Sequence, residues 1–370
     1  MSMPCAGMGV GMTCRSILRG AVAGGYSADL FTSRSDDDAA EPFMLRSFTP
    51  GFLTGFPHRI TRHVSVRLLH SSYLGAVTPE HIAYLWPSVP RHVYETLHAR
   101  GVPIVTDAIN TRMVDAKPVM DAAYESLGLR PAHRITEARI ADEEARLALT
   151  TAIFSPSPAT DDSFSRSPVA DRIIPSSYGT WLPQIVSERP AKPPGAPVTF
   201  LFVGLSCIRK GLHHLLTAWR DVPPDARLRI VGLNEPELRA LFSDVLSMPN
   251  VSATSFSADV AAEYRQADVF VLPSLEEGDP IVVYEAAARG LPVVASLTGS
   301  GRIGAQTGAI HTLDTSDIEA FRATIANFTR SPELRRHWGE RAAAASRQYH
   351  WNLVAAQRFG QLANFLNQPA

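Results

Sequence analysis

Residues 269–292 read VFVLPSLEEGDPIVVYEAAARGLP. The opening apolar run has the length of a buried strand, and it breaks at a proline into an acidic, glycine-containing turn. The small and apolar residues that follow, 280–289, have the composition of a helix. Asp279 then Pro280 is a helix opening: an acceptor at the cap, then the proline that the first helical position tolerates. Gly290 supplies the residue that ends it. Glu277 falls in the loop, and Glu285 between one and two turns into the helix. Carboxylates so placed accept hydrogen bonds from sugar hydroxyls. The helix start between them, with Gly278, Asp279, Ile281 and Val282, suits a phosphate. The plainer reading is that Glu276, Glu277 and Asp279 decorate a helix start, where anions are favoured in any case. That reading leaves Glu285 unexplained.

The same alternation continues on both sides. VTFLFVG (198–204), LRIVG (228–232) and LPVVAS (291–296) are short apolar runs. Helical patterns fill 212–219, 236–246, 318–329, 332–346 and 352–366. Strands alternating with helices imply a parallel sheet covered on both faces, with ligands bound beyond the carboxyl ends of the strands. Glu277 sits just past one such end. In the N-terminal half, 81–87, 103–109 and 152–157 read as strands, with helices at 91–99, 116–127 and 136–149. The expected fold is therefore α/β, with two Rossmann-like, doubly wound parallel-sheet domains. Residues 183–197 carry Pro183, Pro190, Pro193, Pro194 and Pro197 with Gly195, a density that continues neither a helix nor a central strand. The expected division is an N-terminal domain at 1–182, a linker at 183–197, a C-terminal domain at 198–347, and a last helix within 348–370.

A chain of 370 residues is long enough for two such cores. Its hydrophobic content of 45%, charged content of 19% and formal charge of −1 describe a globular protein and argue against nucleic-acid binding, which draws on a basic excess. Cys5, Cys14 and Cys207 are far apart, which suggests a reducing compartment and resembles no metal-binding spacing. The N-terminus lacks a secretion signal, and no apolar run reaches the length of a spanning helix. A cytoplasmic protein is expected, with peripheral membrane contact open.

Three further stretches carry possible chemistry. The turn 203–211, VGLSCIRKG, joins a strand to a helix. Gly204 and Gly211 give the backbone room there, and Arg209 and Lys210 offer cations to a phosphate. Gly7, Gly9 and Gly11 lie just before a helical pattern at 13–22, where backbone amides can approach an anion. In 58–70, HRITRHVSVRLLH, Arg59, Arg62, His63, Arg67 and His70 share one helical face, and Ile60, Val64 and Leu68 another. A basic stripe beside an apolar one suits an anionic acceptor or a membrane surface, and equally an ordinary solvated face over a core.

These residues resemble the retaining, nucleotide-sugar-dependent glycosyltransferases of family four, which have the two-domain GT-B fold. The likeness is strongest over 198–292 and continues through the 348–351 turn into the last helix, which in that family crosses back to the first domain. The family's two glutamates with seven residues between them are met by Glu277 and Glu285. The resemblance implies that Glu285 binds the ribose, that Glu277 contacts the donor sugar, and that Lys210 with Arg209 holds the diphosphate. It places Gly9 or Gly11 near the donor phosphates. It implies no metal and no cofactor besides the nucleoside diphosphate sugar, with a glycan or lipid-linked acceptor. The accepted reaction is front-face displacement at the anomeric carbon. Arg59, Arg62 and Arg67 would then face an anionic membrane.

Several positions depart from the family. Leu205 stands where many members have arginine, and Asp279-Pro280 where Phe-Gly is usual. Asn110 replaces a histidine after the strand at 103–109; it can orient a hydroxyl but cannot serve as a base. Only six residues precede Gly7, where a first strand is expected. These departures motivate a second reading, a GT-B protein that binds nucleotide or a partner without transfer. A third, a nucleotide-sugar epimerase, lacks the extra carboxylates and histidines it would need.

Overall fold

The computed structural model describes residues 9–35, 41–49, 58–86, 88–181, 193, 195–205 and 208–367. The α/β expectation holds. The C-terminal half forms a six-stranded, wholly parallel sheet in the order His311–Thr312, Val293–Ala295, Val269–Leu272, Val198–Val203, Ala226–Val231, Val251–Thr254. Strands Val198–Val203 and Val269–Leu272 lie in its middle, and Phe200, Leu201, Phe202 and all of 269–272 are shut off from solvent. This is why those segments read as continuous apolar runs.

The N-terminal half holds a four-stranded parallel sheet, Ala83–Leu85, Ile104–Asp107, Ala152–Ser155 and Ile173–Pro175, and a separate parallel pair, Asp29–Thr32 with Met44–Ser47. The pair and the strand at 173–175 are not among the strands expected from sequence. Most of the expected linker, residues 183–192 and 194, lies outside the described residues, as do Gly7, Cys5 and Cys207.

Two local expectations are corrected. The glycine loop before a helix is instead the helix itself, which spans Gly9–Ala23 and takes in Gly9 and Gly11. The single helix expected at 236–246 is two, Pro236–Leu241 and Ser243–Leu246, because Phe242 leaves helical geometry and buries its ring beneath Arg220.

The last helix, Trp351–Leu366, leaves the C-terminal domain and packs along Gly9–Ala23. Gly20 makes that crossing tight: a Cβ there would fall 2.4 Å from the Ala355 Cβ. Arg358 of the same helix is buried beneath the N-terminal sheet. It donates to Asp107 at 2.5 Å, to the Tyr84 hydroxyl at 2.8 Å and to Ser176 Oγ at 3.0 Å. Thr180 and His350 add a parallel β-bridge between the halves. The crossover helix thus fixes the N-terminal domain against the C-terminal one through a buried ion pair as well as through apolar packing.

Candidate active site

The turn after Val198–Val203 carries the two cations. The Lys210 stem lies against Gly204, where a Cβ would sit 2.5 Å from Lys210 Cδ. Gly211 has φ +65°, and a Cβ on it would be 1.9 Å from the Pro273 carbonyl oxygen, so no other residue fits. That close approach draws the two loops together. Lys210 Nζ donates to both oxygens of Glu277, at 2.8 and 2.9 Å. Arg209 Nη1 lies 3.3 Å from Glu277 Oε2, 3.2 Å from Glu276 Oε2 and 3.3 Å from Asn110 Oδ1. Burial by itself would raise the Glu277 carboxyl, but Lys210 and Arg209 together hold it below the usual carboxylate range. It is therefore an ionised acceptor, already oriented, at the carboxyl end of the sheet.

Glu276 has a role that its sequence position did not reveal. One oxygen accepts from the Thr111 backbone N–H at 3.0 Å and the Thr111 hydroxyl at 2.8 Å, while the other faces Arg209. It ties the acidic turn to the N-terminal domain. Gly278 lies on the same seam, where a Cβ would be 2.0 Å from the Ile109 carbonyl oxygen.

Asp279 is a correction. It does not cap the helix. The helix spans Ile281–Ala288 with Pro280 at its cap. The Asp279 carboxylate is buried and accepts from Tyr178 N at 2.8 Å, the Tyr284 hydroxyl at 2.7 Å and Arg302 N at 3.0 Å. Burial pushes it up to about 6 despite those donors. Arg302, which sequence reasoning missed, extends the same interdomain seam by an ion pair with Asp161 at 2.8 Å. Ile281 and Val282 form the first turn of the helix and are half-buried.

Glu285 sits on that helix, with one oxygen accepting from the buried Tyr264 hydroxyl at 2.9 Å. Burial raises its carboxyl. Its other oxygen, Oε1, has no protein partner among the described residues.

Asn110 is exposed at the mouth of a cavity of about 610 Å³ that runs from Arg209 and Glu276 into the N-terminal domain. Glu143 lines it; one of its oxygens accepts from Met113 N at 2.6 Å, at the start of the helix Met113–Ser126. Burial holds the Glu143 carboxyl above its ordinary value. His133, also in the wall, is engaged with Asp121 at 2.8 Å.

The basic helix spans His58–Ala76. Arg62, His63 and Arg67 are exposed, whereas the side chain of Arg59 lies outside the described residues. Of the two readings open for this helix, the one that buries the apolar stripe in a core is not met. Val64 and Leu68 are exposed at 48% and 46%, while Thr61, Ser65 and Leu69 face inwards. His70 is also buried, which with the neighbouring His92 pushes its imidazole down to about 4 and takes it off the basic face. The outward surface therefore mixes cations with aliphatic side chains.

With this geometry in view, the family model described as "Glycosyl transferases group 1" matches residues 186–345. Over those residues, the second sheet with its cation-bearing and acidic turns, the chain is similar to the group 1 glycosyl transferases. It is 32% identical to a protein of Salmonella typhimurium named as a colanic acid biosynthesis glycosyltransferase, over 39% of each chain. The match thus spans about two-fifths of that relative's length. It is 28% identical to the D-inositol 3-phosphate glycosyltransferase of Pseudarthrobacter chlorophenolicus, covering 96% of this chain and 90% of the relative. Among solved structures, a sucrose-phosphate synthase from Thermosynechococcus elongatus superposes with a TM-score of 0.72 at 20% identity, over 97% of this chain and 94% of that one. The architecture is that of the two-domain GT-B glycosyltransferases.

Proposed function

We propose that the protein transfers a sugar from a nucleoside diphosphate sugar to a hydroxyl acceptor, with retention of anomeric configuration. The observation that carries this reading is the Lys210–Glu277 pair set beside Glu285 at the carboxyl edge of one sheet and facing a second domain. Glu285 takes the ribose through its open oxygen. Glu277, ionised and held in place, accepts from the donor sugar's hydroxyls. Lys210 and Arg209 bring positive charge to the diphosphate as it leaves, in the place a metal ion takes in other transferases. The cavity behind Asn110 receives the acceptor, with Asn110 and Glu143 orienting its hydroxyls.

Calorimetric titration of UDP, GDP and ADP tests the donor half. At least one should bind, and Glu285→Ala should weaken it by tenfold or more, the scale of a hydrogen bond to a charged group. No binding by any of the three, or equal affinity in the variant, would sink the reading. Binding without any turnover of the matching nucleotide sugar would favour the second reading, a nucleotide-binding protein without transfer. The carboxylates already engaging both Arg209 and Lys210 are what favours that alternative.

No helix among the described residues is long and apolar enough to cross a membrane. We infer a cytoplasmic protein that touches an anionic membrane through Arg62, Arg67, Val64 and Leu68, consistent with a lipid-linked acceptor. Flotation with vesicles containing anionic lipid should carry the protein upwards, and neutral vesicles should not. Arg62→Glu with Arg67→Glu should abolish flotation; unchanged flotation in that variant would refute the contact.

A further inference from the structure

Tyr264 takes no part in the reading above, yet it is the protein's hold on Glu285. It lies on the helix Val260–Gln266, one loop before the strand Val269–Leu272, and is almost wholly buried. Its hydroxyl donates to Glu285 Oε2 at 2.9 Å, with the Val282 carbonyl next nearest at 3.4 Å. The ring packs against Phe270 at 5.8 Å between centroids, and the Arg289 guanidinium covers it at 5.0 Å. Arg289 in turn donates to the Glu285 backbone carbonyl at 2.8 Å. The phenol is thus packed on both faces, and its hydroxyl holds the carboxylate oxygen bound to it.

A carboxylate free at both oxygens turns about its last torsion and presents either oxygen in any direction. Pinning Oε2 leaves Oε1 as a fixed acceptor, and a vicinal diol needs fixed acceptors to be recognised as a pair. We propose that Tyr264 is a positioning residue for the nucleotide's ribose: by locking Glu285 Oε2 it aims Oε1 at the 2′,3′-diol and so sets the preference for ribonucleotides over nucleotides that lack those hydroxyls. The inference rests on Glu285 being the ribose ligand. A tyrosine that merely fills the core would leave that preference unchanged, and this separates the two roles.

Tyr264→Phe removes the hydroxyl and keeps the ring, its contact with Phe270 and its cover by Arg289. Titrations of UDP and 2′,3′-dideoxy-UDP (or the GDP or ADP pair, whichever nucleotide binds) into wild type, Tyr264→Phe and Glu285→Gln decide the matter. The expected result is that Tyr264→Phe weakens the ribonucleotide about tenfold and leaves the dideoxy form at its wild-type affinity, with Glu285→Gln doing the same or more. The ribonucleotide's affinity in Tyr264→Phe should also fall off at a higher pH than in wild type. Tyr264 is the main donor opposing the rise that burial imposes on the Glu285 carboxyl, with Arg289 the other charged group beside it. Wild-type ribonucleotide affinity in Tyr264→Phe, alongside a loss in Glu285→Gln, would overturn the inference and leave the ribose reading standing. Equal weakening of both nucleotides would make Tyr264 structural. No effect from either variant or from removing the diol would overturn the ribose reading itself.

Discussion

Arg358→Ala should cost about 3–5 kcal/mol of stability, the usual effect of breaking a buried ion pair on one side only. The Asp107 side chain has no solvent exposure and that of Arg358 almost none, 0% and 1%. Tyr84 also donates to Asp107, but a phenol does not neutralise a charge. Removing the guanidinium leaves a carboxylate inside the fold and empties a site where Arg358 lies 4.1 Å over the Phe154 ring. The N-terminal domain and the last helix should loosen together, because the pair joins them. Urea unfolding followed by far-ultraviolet circular dichroism measures the change, and a loss under about 1 kcal/mol would show that the pair is dispensable. Replacing both partners, Arg358→Met with Asp107→Leu, should recover most of the loss, since that double change leaves no charge behind.

Lys210→Ala should lower donor turnover by about 10²–10³-fold, the scale of removing one group that stabilises developing negative charge. The lysine makes both short contacts to Glu277, so its loss also leaves that buried carboxyl with Arg209 at 3.3 Å as its nearest cation. Lys210 is the larger of the two attractions holding Glu277 down, and without it the carboxyl rises. A carboxyl lowered by folding contributes stability at neutral pH that disappears as pH falls through its lowered value. Lys210→Ala should therefore be less stable than wild type at pH 7, with the difference shrinking on acidification. Nucleoside diphosphate release from the bound nucleotide sugar gives the turnover, and a separate titration gives the affinity. A fall of less than about threefold in turnover would remove Lys210 from the reaction.

Much of the C-terminal domain was legible because its central strands are buried on both faces and read as unbroken apolar runs. Glu277, Arg209 and Lys210 could be picked out because polar residues in the turns after such runs stand near the carboxyl ends of strands, and Glu285 because it lies on the helix that follows one of them. Asp279 was misread for a related reason. A carboxylate before Pro280 satisfies the local rule for a cap, and the three donors that claim it come from Tyr178, Tyr284 and Arg302. For the basic helix the period showed two faces and left open which one turned inwards, because that depended on neighbours outside the segment. Val64 and Leu68 point outwards because Thr61, Ser65 and Leu69 supply the face that packs.

By itself the sequence determined the α/β class, the parallel sheet of the second half and the pair of glutamates around one helix start. Each of these follows from interactions among residues close in the chain or from burial on both faces of a strand. Only the tertiary structure decided that Glu276 joins Thr111, that Arg358 joins Asp107 and that Tyr264 holds Glu285. Those partners are 165, 251 and 21 residues apart. Local periodicity has no access to such pairings, because a buried charge or hydroxyl takes whichever partner the packed domains bring within reach.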